Sequence, residues 1–513
     1  MKAGFKLLLF LLLLFISNFG GRGNGVSLPS STRPEAVDVD ISQSKSSDIA
    51  QRIESIENGL LLPVVIKGQP SEPMKLADRM QFYKTPGVSI AFINGGRIEW
   101  ARGYGVREAG KAETVTTETV FQAGSISKPT TALAVMRLVQ QGKLNLDEDV
   151  NRKLTSWKVP ENDFTKEKKI TLRGLLSHSA GVNVSSFIGY LSNEHAPTLL
   201  QVLDGLKPAN TPPIRVDSIP GSQFRYSGGG FTIVQQLLID AEKKPFPDLM
   251  SKLVFDPLKM EHSTFQQFLP KNLLTSAAIG HNSRGEKLAG KWRVFPEMAA
   301  AGMWTTPSDL ARLVIEVQRA QAGQSNKFLS AVTVNRMLTP QSGNWGLGFS
   351  VKGEGRSGSF SHGGSTLEFN SYLVAYNQAG QGAVIMTNSL RGEGLINELL
   401  RSIAHEYGWT DYQPKEKTIG TANPTVYEAY FGQYELEISP DFVVTISAKN
   451  GKLMMTLKQP TGESSAELFP ESENKFFRRD VDFEMTFVKS DTGQTTGLII
   501  RQDGTEYRAK KIK

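Results

Sequence analysis

The chain has 513 residues, 21% of them charged and 39% apolar, which fits two or three globular domains and excludes a largely disordered or low-complexity protein. It contains no Cys, so disulfides, a thiol nucleophile, a cysteine-linked lipid and Cys-based metal sites are excluded. The formal charge of +7 falls to +4 without Lys2, Lys6 and Arg22, and the remaining Lys and Arg are scattered among Asp and Glu with no nucleic-acid motif, so no nucleic-acid partner is expected.

At the N-terminus, Lys2 and Lys6 precede an unbroken apolar run from Leu7 to Ile16, followed by Ser17 and Gly20, Gly21, Gly23 and Gly25. This order reads as a secretory signal over residues 1–25, and the run is too short to span a bilayer comfortably. No clean small-x-small site marks a cleavage point, so retention as an anchor is the alternative. No later segment is long and apolar enough to span. Export without Cys points to a bacterial envelope, periplasmic or secreted.

Residues 26–47 are polar and rich in Ser, Pro and Asp, and read as a mobile leader. Helices are expected from Asp48 to Asn58, with Ile49, Ile53 and Ile56 on one face, and from Pro73 to Tyr83. Strands at Val88–Ile93 and Arg97–Arg102 flank Asn94-Gly95-Gly96, whose residues tolerate positive φ, so a hairpin opens an antiparallel sheet. Helical periodicity fills Asp147 to Thr339. Strands return at Trp345–Val351, Ser359–Ser361, Ser371–Tyr376 and Ala383–Thr387, and a helix from Leu395 to Tyr407 closes the domain. The expected fold is α/β, an antiparallel sheet flanked by helices with an all-α lobe, over residues 48–410. Residues 411–424 read as a linker, and 425–513 as a small all-β domain, barrel or sandwich.

Chemistry concentrates first at Ser125-Ile126-Ser127-Lys128-Pro129. A Ser and a Lys three positions apart share one helix face, where an amine can take a hydroxyl proton, so Ser125 is a candidate nucleophile and Lys128 its base. Pro129 suits a first helical turn, and the apolar positions from Ala132 to Val139 predict burial on most sides. Burial and the positive end of the helix dipole would both lower the Lys128 pKa, and the same end would favour an oxyanion. Two further stretches offer partners. Tyr226 precedes Ser227-Gly228-Gly229-Gly230, read as a flexible turn before an apolar helix, and His362 ends a strand before Gly363-Gly364-Ser365.

With Ser125-Ile126-Ser127-Lys128, Tyr226-Ser227-Gly228 and His362-Gly363-Gly364 in this order, residues from about Val88 to Trp409 resemble the serine β-lactamase and penicillin-binding-protein superfamily. The nearest branch is that of class C β-lactamases, D-aminopeptidases and esterases of that fold. The phrases around Leu175–Gly181 and Ala300–Leu310 look like structural signatures of the same branch, and the C-terminal domain resembles the lipocalin-like domains often appended to it. The resemblance implies a serine hydrolase working through a Ser125 acyl-enzyme, with Lys128 and Tyr226 sharing acid and base duty. It also implies an oxyanion hole from the backbone N–H groups of Ser125 and Ser365, His362 where relatives carry Lys, and Gly228, Gly363 and Gly364 lining the substrate.

Gly228 lacks the amide that an Asn would offer, and His362 is a weaker cation than Lys, so an ester or peptide substrate is expected over efficient β-lactam hydrolysis. The partners implied are small esters, amides or peptides, cell-wall pieces among them. The alternative is a penicillin-recognising sensor that acylates without turnover. His178, within Leu-Leu-Ser-His-Ser-Ala-Gly, reads as part of a structural turn. Six His without paired spacing give no metal signature, and no cofactor is expected.

Overall fold

The computed structural model describes residues 41–513, apart from Ser71 and residues 421–423, 460–461 and 503–504. The signal segment expected at the N-terminus lies outside the described residues. Among those described, no helix is long and apolar enough to cross a membrane. Among the described residues two compact units emerge, one formed by residues 77–396 and the other by 397–513 together with 41–76.

In the first unit, Asn94 and Arg97 close a hairpin between β1 (Gly87–Asn94) and β2 (Arg97–Gly105), with Gly95 and Gly96 both at positive φ. Next come α1 (Ser127–Gln140), α2 (Gly228–Glu242) and α3 (Pro307–Gln321). The chain then returns through β3 (Ser350–Lys352), β4 (Ser359–Ser365), β5 (Asn370–Tyr376) and β6 (Gly382–Thr387). All six strands form one antiparallel sheet in the order β2-β1-β6-β5-β4-β3. β6 pairs with β1, so the two ends of the domain meet in the middle of the sheet.

Central strands β1 and β6 are buried along almost their whole length, which is why they read as apolar runs rather than as alternating strands. α3 packs on the sheet, and α1 and α2 lie in the core shared with the helical lobe. The stretch from Asp147 to Thr339 is less helical than expected, its helices separated by long, largely irregular segments such as 177–198 and 205–227, and its short strand Trp304–Thr305 pairs with Phe121–Gln122.

Some boundaries moved for identifiable reasons. Trp345 lies outside β3, whose strand begins only at Ser350. β4 continues through His362 to Ser365 rather than ending at Ser361. Its Gly-Gly serves close packing, because a side chain at Gly364 would be driven into Ala123 O. Likewise Gly228, Gly229 and Gly230 form the first turn of α2 and not a flexible loop. A Cβ on Gly229 would meet Asn183 O at 2.7 Å.

The second unit contains a helix, Ile41–Asn58, that starts seven residues before Asp48, inside the stretch read as a leader. Its Ile56 O accepts from Ser402 Oγ at 3.0 Å. Lys415–Lys417, within the stretch read as a linker, is a strand paired in parallel with Val64–Ile66. Eight strands from Gly432–Leu436 to Thr505–Lys511 close into a barrel. Its interior is filled by side chains, with Tyr430 stacked on Phe487 at 4.0 Å between ring centroids and Phe476 edge-on to both.

Candidate active site

Ser125 lies in a single 3-10 turn, Gly124–Ile126, that leads directly into α1. Ser127 pins this turn, donating to Gly124 O at 2.6 Å and accepting from the Met303 N–H at 3.0 Å. Lys128 is the second residue of α1 and only 1% exposed. Its Nζ lies 2.9 Å from Ser125 Oγ and donates to Ala300 O at 2.8 Å. Gln235 of α2 holds the Ala300 segment, accepting from Ala299 N–H at 3.0 Å and donating to Pro296 O at 3.0 Å. Burial pushes the Lys128 pKa down to about 7, so an appreciable fraction is free amine at neutral pH.

Tyr226 immediately precedes the N-cap of α2, where Ser227 Oγ accepts from Gly230 N–H at 2.9 Å. Its ring lies beside Ser125, with the centroid 5.0 Å from Lys128 Nζ. Burial raises the phenol well above its ordinary value, outweighing the opposing influence of Ser125, so Tyr226 rests protonated.

β3 covers β4 only as far as Ser361, whereas β5 pairs with β4 along its whole length to Ser365. The outer edge of His362–Ser365 is therefore left to the turn that carries Ser125. A Cβ on Gly124, whose φ is +52°, would meet Ser365 N at 2.8 Å, which measures how closely the two backbones approach. Ser371 Oγ donates to Ala123 O at 2.9 Å from the other side.

His362 is buried, and its Nδ1 lies 2.6 Å from Gly363 O. A carbonyl only accepts, so Nδ1 carries the proton and Nε2, which has no partner among the described residues, is an acceptor. Burial and the charge of Lys128 push its pKa to about 3. His362 is thus neutral, where the sequence suggested a partial cation.

Residues 75–406 match the family described as Beta-lactamase, which covers more than half of the chain. The chain belongs to this family. That membership places it in the serine β-lactamase and penicillin-binding-protein superfamily that the three motifs resemble. Residues 416–511 match a separate family, described as Domain of unknown function (DUF3471). Among curated relatives, Protein flp of Staphylococcus aureus (strain MW2) is 24% identical over 322 residues, covering 59% of each chain. Teichoic acid D-alanine hydrolase of Staphylococcus aureus is 22% identical over 231 residues, covering 45% of this chain and 54% of that one. The chain thus spans a little over half the length of these relatives. Among solved structures, the octameric penicillin-binding protein homologue from Pyrococcus abyssi aligns over 85% of this chain and 98% of its own, with a TM-score of 0.58 and 20% identity, which supports the β-lactamase-type fold.

In this β-lactamase-family site, Gly228 stands where the family motif carries Asn. A Cβ there would meet the Phe187 ring at 3.0 Å and Ser185 O at 3.1 Å, so packing leaves little room for the amide.

Four residues beside the motifs were missed as site residues by the sequence reading. His178 sits under Tyr226 with ring centroids 4.3 Å apart. Trp345 stands edge-on to His178, Tyr226 and His362 at 4.9, 5.6 and 5.3 Å. Phe224, exposed at 39%, stacks on Trp345 at 5.7 Å and gives the site an apolar wall. Glu297 begins the segment that ends on Ala300 and is fully buried, and neither carboxyl oxygen has a partner among the described residues. The one local signal for it was a lone carboxylate set between Phe295-Pro296 and the apolar Met298–Ala301.

Proposed function

We propose that the chain is an exported serine hydrolase that cleaves esters through an acyl-enzyme on Ser125. The observation that carries this reading is the 2.9 Å approach of Lys128 Nζ to Ser125 Oγ, with Lys128 anchored on Ala300 O and titrating near neutrality. Neutral Lys128 takes the proton of Ser125 as Oγ attacks the ester carbonyl. Tyr226, protonated at rest, relays a proton to the departing alkoxide. The backbone N–H groups of Ser125 and Ser365 receive the oxyanion. Water then attacks the acyl carbonyl, with the same groups returning their protons, and releases the acid.

Esters are favoured over penicillins because neither His178 nor His362 is charged at neutral pH and Gly228 offers no amide, so the site supplies no strong fixed partner for a carboxylate or peptide carbonyl. The name of the relative, teichoic acid D-alanine hydrolase, supports an acyl ester on a cell-wall polymer as the substrate class, and fits export by the Lys2–Ile16 segment. The C-terminal unit, with its filled barrel, is read as a structural module rather than a ligand carrier.

The test follows intact mass over time with a nitrophenyl ester and, in parallel, a penicillin. A transient adduct with the ester that is absent in Ser125→Ala is the expected result. Ester turnover that survives Ser125→Ala would overturn the reading, and a permanent adduct with penicillin alone would favour a sensor.

A further inference from the structure

His178 occupies the left-handed position that closes the short helix Leu172–Leu176, with φ of 56°. Gly is the usual occupant of such a position, since a Cβ there costs about 1 kcal/mol. Nothing in the turn itself calls for an imidazole.

Two of its hydrogen bonds lead to the segment carrying Tyr226. His178 O accepts from Arg225 N–H at 2.7 Å, and His178 Nδ1 accepts from Ser227 N–H at 3.1 Å. The residues on either side of Tyr226 are therefore both fastened to one residue. Between these bonds the imidazole lies against the Tyr226 ring, tilted by 33° at 4.3 Å. Ser179 O extends the clamp by accepting from Gly221 N–H at 2.6 Å.

We infer that His178 is a positioning residue for Tyr226, holding the phenol at Ser125 through a neutral imidazole whose Nδ1 is an acceptor. An accepting Nδ1 requires the proton on Nε2, which has no partner among the described residues. The groups facing the ring are Tyr226, Phe224, Phe231 and Trp345, with Lys128 and neutral His362 the nearby titratable groups. Burial first, and then the charge of Lys128, disfavour the imidazolium, which would replace the acceptor with a second N–H facing that of Ser227.

This inference rests on the reading that Tyr226 exchanges a proton at Ser125, and the experiment separates the two. Gly and Asn both tolerate positive φ, but only Asn returns an acceptor near the Nδ1 position. With a nitrophenyl ester, His178→Gly is expected to lower the acylation rate constant by about 10- to 100-fold with little change in KM, and His178→Asn to recover to within about fivefold of wild type. In the Tyr226→Phe background, itself slowed by about 100-fold or more, His178→Gly is expected to add less than about twofold, because both changes act on one group. Wild-type rates in Tyr226→Phe would overturn the role of Tyr226, and the inference with it. A slow Tyr226→Phe beside a fast His178→Gly, or an Asn variant no better than Gly, would overturn the inference alone.

If His178→Gly does not fold, nitrogen-15 NMR of the wild-type protein labelled at His decides the matter, with His178→Asn assigning the signal. A neutral ring protonated on Nε2 from pH 5 to 8 is expected. A ring protonated on Nδ1 would overturn the clamp.

Discussion

Lys128 Nζ reaches Ser125 Oγ at 2.9 Å while giving one of its own protons to Ala300 O at 2.8 Å. The second bond matters as much as the first. An amine donating to a carbonyl keeps its lone pair free for the serine, and burial keeps that lone pair unprotonated near neutral pH. The 3-10 turn running into α1 supplies the spacing between the pair, and the segment braced by Gln235 supplies the anchor.

This arrangement sets a pH dependence. The Lys128 pKa is lowered from 10.5 to about 7, so ester kcat/KM is expected to rise with pH through about 7, falling about tenfold per unit on the acid side. For stability, the folded state releases the proton at about 7 while the unfolded chain holds it to 10.5, so this residue's contribution grows as pH rises between those values. Lys128→Met is expected to abolish acylation and to raise stability by about 1–3 kcal/mol at pH 6, with the gain shrinking toward pH 10. Thermal unfolding at the two pH values measures this. Equal effects at both would mean that Lys128 stays protonated in the folded protein across that range, with a pKa that is not lowered.

Gly363 and Gly364 are adjacent but differ in what surrounds them. A Cβ on Gly364 would be driven into Ala123 O, whereas one on Gly363 would meet only the Tyr372 ring at an ordinary 3.5 Å. Gly364→Ala must push β4 away from the Ser125 turn, and with it the Ser365 N–H. It is expected to cost about 10²-fold in ester turnover, while Gly363→Ala stays within about fivefold. Parallel kinetics on the two variants tests this, and equal losses would remove Ser365 N–H as an oxyanion donor.

Legibility followed the range of the interactions. The Asn94-Gly95-Gly96 hairpin and the Ser125–Lys128 pair are fixed by contacts within a few residues, so composition and spacing were enough. The place of His178 was not legible, because its partners Arg225 and Ser227 lie nearly fifty residues away and the turn motif gives a sufficient local reason for its backbone. Lys415–Lys417 looks like linker because its polar residues form a strand only against distant Val64–Ile66. The glycine run misled, since Gly228 read as part of a flexible turn but is required by crowding.

Crowding also predicts the outcome of restoring the family's Asn. At Gly228 the space is already taken by the Phe187 ring and Ser185 O, and Gly228 N–H donates to Ser185 O at 2.9 Å. Gly228→Asn is expected to destabilise the protein by about 1–3 kcal/mol and to give no gain in penicillin hydrolysis. Unfolding midpoints and a penicillin assay read the two halves separately. A stable variant that turned over penicillin would mean that Phe187 yields and that Gly228 alone kept the amide out.

Glu297 provides the last test. Burial raises its carboxyl from 4.5 to about 8, and its charge together with burial raises the Tyr190 phenol to about 12. The folded state therefore keeps a proton that the unfolded chain loses near 4.5. The stability tied to this group is fully present below that pH and is lost as pH rises toward 8. Glu297→Gln keeps the shape and cannot ionise, so it is expected to match wild type at pH 5 and to exceed it by about 1–3 kcal/mol at pH 8.5. Lys128 contributes equally to both proteins, so the difference between their unfolding midpoints isolates Glu297. A difference that stays constant from pH 5 to 8.5 would mean that the carboxylate is already ionised and has found a partner in solution.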